Sequence, residues 1–110
     1  MVKSNSIFRR AEPTEPRLPI DLPCLLHLDG GPLSADVYNI SYRGMAVRLE
    51  AEKNTFDLKT LTGILVPAIG EFLVLARWRK AGSIGFSFTN KRTVRPLLDA
   101  YFAQIGRYPD

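Results

Sequence analysis

The stretch Ile20-Asp21-Leu22-Pro23-Cys24-Leu25-Leu26-His27-Leu28 alternates without a break. Ile20, Leu22, Cys24, Leu26 and Leu28 fall on one side, and Asp21, Pro23, Leu25 and His27 on the other. Successive side chains of an extended chain point to opposite faces, so this stretch predicts a half-buried β-strand. Pro23 has no N–H to give a neighbouring strand, which places that part of the strand at an edge. Asp29-Gly30-Gly31-Pro32 turns the chain, and Leu33 to Ile40 returns as a second strand. A third follows, with Met45, Val47 and Leu49 on one face and Ala46 and Arg48 on the other. Residues 51–56 are polar and predict a loop. Leu58 to Val66 and Phe72 to Arg79 read as a pair of strands across Pro67 and Gly70, and Ile84 to Phe88 alternates strictly after a turn at Ala81-Gly82-Ser83.

The period then changes. Val94, Leu97, Leu98, Tyr101, Phe102 and Ile105 recur at the spacing of one α-helix face, which predicts a helix over about 93–105. Thr93 is read as its N-cap, Pro96 as a first-turn residue and Gly106 as the stop. Antiparallel strands followed by one amphipathic helix make a mainly β chain. Such a set buries its apolar faces as a small β-barrel, with the helix laid against an open end or seam.

The 110 residues suit one domain, placed over 17–106. Residues 1–16 contain Ser, Asn, Glu and two prolines with few large apolar groups, and are expected to be a flexible N-terminal arm. A net charge of +4 favours anionic partners without choosing among phosphates, nucleic acid and an acidic protein face. The longest apolar run, Leu61 to Leu75, is interrupted by Gly63, Pro67, Gly70 and Glu71, so no membrane insertion is expected. The amino terminus lacks the apolar core of a secretory signal, and the single cysteine, Cys24, has no intrachain partner. A reduced, cytoplasmic protein is the expectation.

Between the second and third strands runs Asn39-Ile40-Ser41-Tyr42-Arg43-Gly44. An amide, a hydroxyl and a glycine at this spacing put hydrogen-bonding groups on a tight connection, with Gly44 read as supplying backbone freedom. The pattern Asn-x-Ser-x-x-Gly, with an arginine-bearing segment upstream, resembles the PilZ family, whose members are receptors for the bacterial second messenger cyclic di-GMP. The resemblance covers about residues 17–105. It implies a six-stranded antiparallel β-barrel with a C-terminal α-helix, and cyclic di-GMP as ligand with no further cofactor.

In that family an Arg-x-x-x-Arg segment and an Asp/Asn-x-Ser-x-x-Gly connection hold the nucleotide. The chemistry is reasonable: a guanidinium grips guanine O6 and N7, or a phosphate, with two parallel hydrogen bonds. By resemblance, Asn39 and Ser41 take the base-recognition positions and Gly44 the turn that presents them. Arg17 matches the second arginine, but Pro13 stands where the first would be. Arg9 and Arg10 lie eight and seven residues before Arg17. Either a longer loop delivers one of them, or they form a solvated basic tail and the site has lost an arm. Arg43 faces phosphate or solvent. Trp78, flanked by Arg77 and Arg79, stacks on a purine or packs at the barrel rim.

The leading expectation is a single-domain receptor that binds cyclic di-GMP, draws in its arm and signals through a separate protein. One alternative is a degenerate PilZ-like adaptor that works by protein contact without nucleotide. Another is a small basic barrel that binds single-stranded nucleic acid, disfavoured because Phe72, Phe86, Phe88, Tyr101 and Phe102 mostly fall on core-facing positions. His27 and Cys24 lie on opposite faces of one strand, so no zinc site is expected, and Ser41 with the lone His27 makes no nucleophile–base pair. No enzyme is expected.

Overall fold

The computed structural model describes residues 16–50 and 57–109. The predicted arm as far as residue 15, with Arg9, Arg10 and Pro13, and the loop expected over 51–56 lie outside the described residues. Within them the chain forms β1 (Leu18–Leu28), β2 (Gly31–Ile40), β3 (Gly44–Leu49), a short 3-10 turn (Leu58–Thr60), β4 (Gly63–Val66), β5 (Gly70–Phe72), β6 (Val74–Lys80), β7 (Ser83–Phe88) and α1 (Lys91–Ile105). All seven strands belong to one antiparallel sheet, in the order β5-β4-β1-β2-β3-β7-β6.

That order explains why the sheet curls. Its two ends, β5 and β6, are consecutive in the chain and separated by Leu73 alone. The Leu73 carbonyl accepts from the Thr89 amide at 2.8 Å, and its own N–H donates to Asn90 Oδ1 at 3.1 Å. The chain therefore leaves its β4 partner and joins β7 within one residue, and the sheet bends into a partly open barrel. The expected mainly β barrel with a C-terminal helix is observed, with seven strands in place of six. The predicted strand Phe72 to Arg79 is two strands, because one apolar run serves both ends of the sheet. Phe72 of β5 stacks on Phe88 of β7 across this seam, with ring centroids 4.8 Å apart.

The strand predicted from Leu58 starts only at Gly63. Asp57 caps a helical turn instead, its Oδ1 accepting from the Lys59 amide at 2.9 Å. Pro23 sits where the alternation placed it. It pairs with Asp36 on the β2 side, whereas β4 reaches only Leu25, Leu26 and His27 on the other. Cys24 is buried in the core beneath, and burial pushes its thiol up to about 12, with the negative charges of Asp36 and Glu50 adding to the effect.

The helix begins at Lys91, two residues before the predicted start, with Asn90 in the capping position. Its first turn, Lys91-Arg92-Thr93, is exposed and carries no apolar signal, so periodicity could not find it. Pro96 consequently lies inside the helix and not in its first turn. Both it and Arg92 are exposed, so solvent can serve the carbonyl left without an amide partner. Val94, Leu98 and Phe102 bury one stripe of α1 on the barrel core. Gly106 ends the helix as expected, in a left-handed conformation at φ 69°. The Gly106 and Arg107 amides return to the Ala103 and Phe102 carbonyls, the paired bonds of a Schellman motif.

Candidate functional site

The strand register assembles a row across the outer face of the sheet. Pro19 of β1 pairs with Asn39 of β2, Asn39 with Ala46 of β3, Ala46 with Gly85 of β7, and Gly85 with Trp78 of β6. Directly opposed residues share a face, and the flanking Met45, Val47, Ile84 and Phe86 point into the core. Asn39 and Trp78 thus stand three strands apart, about 14 Å at the usual strand spacing. Only a methyl group and a hydrogen separate them. The indole leans back over Gly85, so closely that a Cβ there would collide with its Nε1 and Cε2.

Three register shifts adjoin this row: in β1 between Pro19 and Leu22, in β2 between Val37 and Asn39, and in β6 between Ala76 and Trp78. Each inserts an extra residue, and bulges re-aim the side chains next to them. Asn39 and Trp78 each sit immediately after one. Beside Asn39, the Arg48 guanidinium lies 4.4 Å from the Tyr38 ring centroid.

Arg17, just before β1, is exposed and donates from Nη1 to Asn39 Oδ1 at 2.8 Å. The two expected ligand-binding residues are therefore in contact, although they lie 22 positions apart. The amide oxygen engages one of the five N–H donors of the guanidinium.

The connection that presents Asn39 is built by Ser41. Its Oγ accepts from the Arg43 amide at 3.1 Å and from the Gly44 amide at 3.2 Å, and its own N–H donates to the Gly44 carbonyl at 2.8 Å. The residue is only 1% exposed, so its hydroxyl shapes the turn from inside, and a direct base contact would have to share it. Gly44 also differs from its sequence reading. It adopts no positive φ, but a Cβ there would strike the Phe86 carbonyl oxygen of β7. Close backbone approach, not conformational freedom, demands glycine. Arg43 is exposed, and its carbonyl accepts from the Phe88 amide at 2.8 Å.

Tyr42, a variable position of the motif, ties the connection to the helix. Its hydroxyl donates to Asp99 Oδ1 at 2.9 Å, its ring meets Phe102 edge-on at 5.2 Å, and the Arg95 guanidinium lies 4.0 Å from the ring centroid. Partial burial, and then the Asp99 acceptor, raise its phenol above the ordinary tyrosine range. No sequence signal marks this contact, because Asp99 lies 57 positions downstream. Ala46 and Gly85 did leave a trace, as small residues at the outward phase of β3 and β7.

A family model described as PilZ domain matches residues 9–103. The chain belongs to the PilZ domain family. The matched span takes in Arg9, Arg10 and Arg17, the Asn39–Gly44 connection and every residue of the row. No curated protein and no solved structure matches this chain. In this PilZ domain Arg17, Asn39 and Trp78 gather on one outer face, Ser41 and Gly44 hold the connection behind it, and Arg43 stands at its tip. Arg9 and Arg10 lie outside the described residues. Among those residues, no group of three or more His, Cys, Asp or Glu is placed to hold a metal ion. None of the described helices is long and apolar enough to cross a membrane.

Proposed function

We propose that this PilZ domain is a cyclic di-GMP receptor of the cytoplasm that passes its signal to a separate protein. The observation that carries this reading is the Arg17–Asn39 pair at one end of a small-residue row whose other end is Trp78. A guanidinium oriented by an amide suits the guanine edge or a phosphate, and it offers far more to an anionic nucleotide than to a neutral ligand. The indole lies over Gly85 and is 43% exposed, so it offers a face for stacking. Ligand would draw the segment bearing Arg9 and Arg10 onto this face and alter what a partner protein meets.

Calorimetric titration with cyclic di-GMP, with GTP as control, tests the reading. Saturable binding of the cyclic dinucleotide alone supports it, and heat-silent mixing with an unmoved melting temperature sinks it. Pro13, standing where the family carries its first arginine, favours a second reading as an adaptor without nucleotide. The nucleic-acid reading loses support, because Phe72, Phe86, Phe88 and Phe102 are all buried and cannot form a stacking track.

A further inference from the structure

We propose that Arg107, just past the end of α1, is a second nucleotide-binding guanidinium that works beside Arg17 and offsets the arginine missing at Pro13. The inference rests on the nucleotide-binding reading above. Arg107 Nη2 donates to the Pro19 carbonyl oxygen at 3.1 Å. Pro19 is the β1 member of the row, directly opposite Asn39, and follows Arg17 by two residues, about 7 Å of extended chain. One guanidinium thus belongs to the residue just before β1 and is held by Asn39 of β2. The other reaches the start of β1 from the far end of the chain, 88 positions away.

The fold holds Arg107 there firmly. The Schellman turn at Gly106 fixes the direction in which the chain leaves α1, with the Arg107 amide bonded to the Phe102 carbonyl at 3.2 Å. On the other side, the Tyr108 ring packs against Phe102 at 6.1 Å and Pro109 is buried. The side chain itself is at the surface, and a single neutral carbonyl engages one of its five N–H donors. Among the described residues neither Arg17 nor Arg107 has a carboxylate partner; Arg95 pairs with Asp99, and the Glu71 carboxylate lies 3.7 Å from His27 Nε2. Two guanidiniums without carboxylate partners are bonded to residues that pair across β1 and β2, and an anion within reach of both is favoured there. A phosphate of a cyclic dinucleotide bound across the row is such an anion.

A plain tail-to-barrel tie is the competing role, and Arg107→Gln separates the two. Glutamine keeps an N–H donor on a shorter side chain and carries no charge, whereas lysine keeps the charge. Calorimetry with cyclic di-GMP on the full chain should show at least tenfold weaker binding for Arg107→Gln. The free protein should melt within about 2 °C of wild type, and the slope of log affinity against log salt should be shallower, because one screened charge contact is gone. Arg107→Lys should recover part of the affinity and the slope. In the wild-type protein, the Arg107 side-chain Nε–Hε resonance should shift with occupancy. A resonance that stays put, or a folded Arg107→Gln protein with wild-type affinity and salt slope, overturns the inference. If Arg17→Ala weakens binding while Arg107→Gln does not, Arg107 alone is ruled out. If wild-type protein binds no cyclic di-GMP, the receptor reading falls and takes this one with it.

Discussion

Replacing Gly85 with alanine should destabilise the protein through Trp78. The new methyl would occupy the space of the indole, so the ring must swing off the sheet. A fully covered tryptophan buries about 150–250 Å². With Trp78 43% exposed, roughly 100 Å² is at stake, or about 2.5 kcal/mol at ~25 cal/mol per Å². The ring belongs to an edge strand and has room to tilt, so giving up about half is the expectation. That is about 1 kcal/mol, or about 4–8 °C in melting temperature for a domain of this size. The assay is a double-mutant cycle by circular dichroism, on wild type, Gly85→Ala, Trp78→Ala and the double variant. The nearest atoms to the methyl group all belong to the indole, so without it the loss of backbone freedom in the unfolded chain favours alanine by about 0.4–1 kcal/mol. The sign of Gly85→Ala should therefore reverse in the Trp78→Ala background. Because Trp78 is the only tryptophan, its emission should also move to longer wavelength in Gly85→Ala. Equal destabilisation in both backgrounds would refute the reasoning, since the clash would then lie elsewhere in the sheet.

Arg17→Ala should weaken cyclic di-GMP binding roughly ten- to hundredfold, the worth of a bidentate arginine contact at about 1–3 kcal/mol, and leave the fold intact because Arg17 is exposed and precedes β1. Unchanged calorimetric affinity would remove it from the site. Gly44→Ala meets a backbone oxygen that cannot step aside, so urea unfolding should show a loss of about 2–3 kcal/mol or more; a wild-type midpoint would contradict the close approach to Phe86. Tyr42→Phe removes only the hydroxyl bonded to Asp99, and should cost about 0.5–1 kcal/mol with the ring contacts to Phe102 and Arg95 kept. Cys24 should resist alkylation at pH 8 until the protein unfolds. Its thiol ionises near 9.0 in the unfolded chain but only near 12 in the fold, so its contribution to stability is full below pH 9 and is lost as pH rises toward 12. A Cys24→Val protein with the same alkaline loss as wild type would show that other groups cause it.

The class of fold and the identity of the central motif were legible in the amino-acid order alone. Strict alternation in β1 and β7 and the helical stripe from Val94 to Ile105 are local patterns, each written in residues that touch the same core. Gly106 and Asp29-Gly30 are legible for the same reason, because a turn is decided by its own few residues. Other features were settled only when distant segments met. The split of Phe72 to Arg79 at Leu73 depends on Asn90 and Thr89, which no reading of that run could supply. The motif announced Asn39 and Ser41, but their different placement, one on the outer face against Arg17 and the other sealed inside its turn, follows from the bulge at Tyr38 and the packing on β7. The row from Asn39 to Trp78 exists because four strands share one register, and Arg107 reaches Pro19 because the helix end returns to the start of the barrel. Periodicity reports which way a side chain points. Only the pairing of strands, and the chain reversals that force it, decide what that side chain faces.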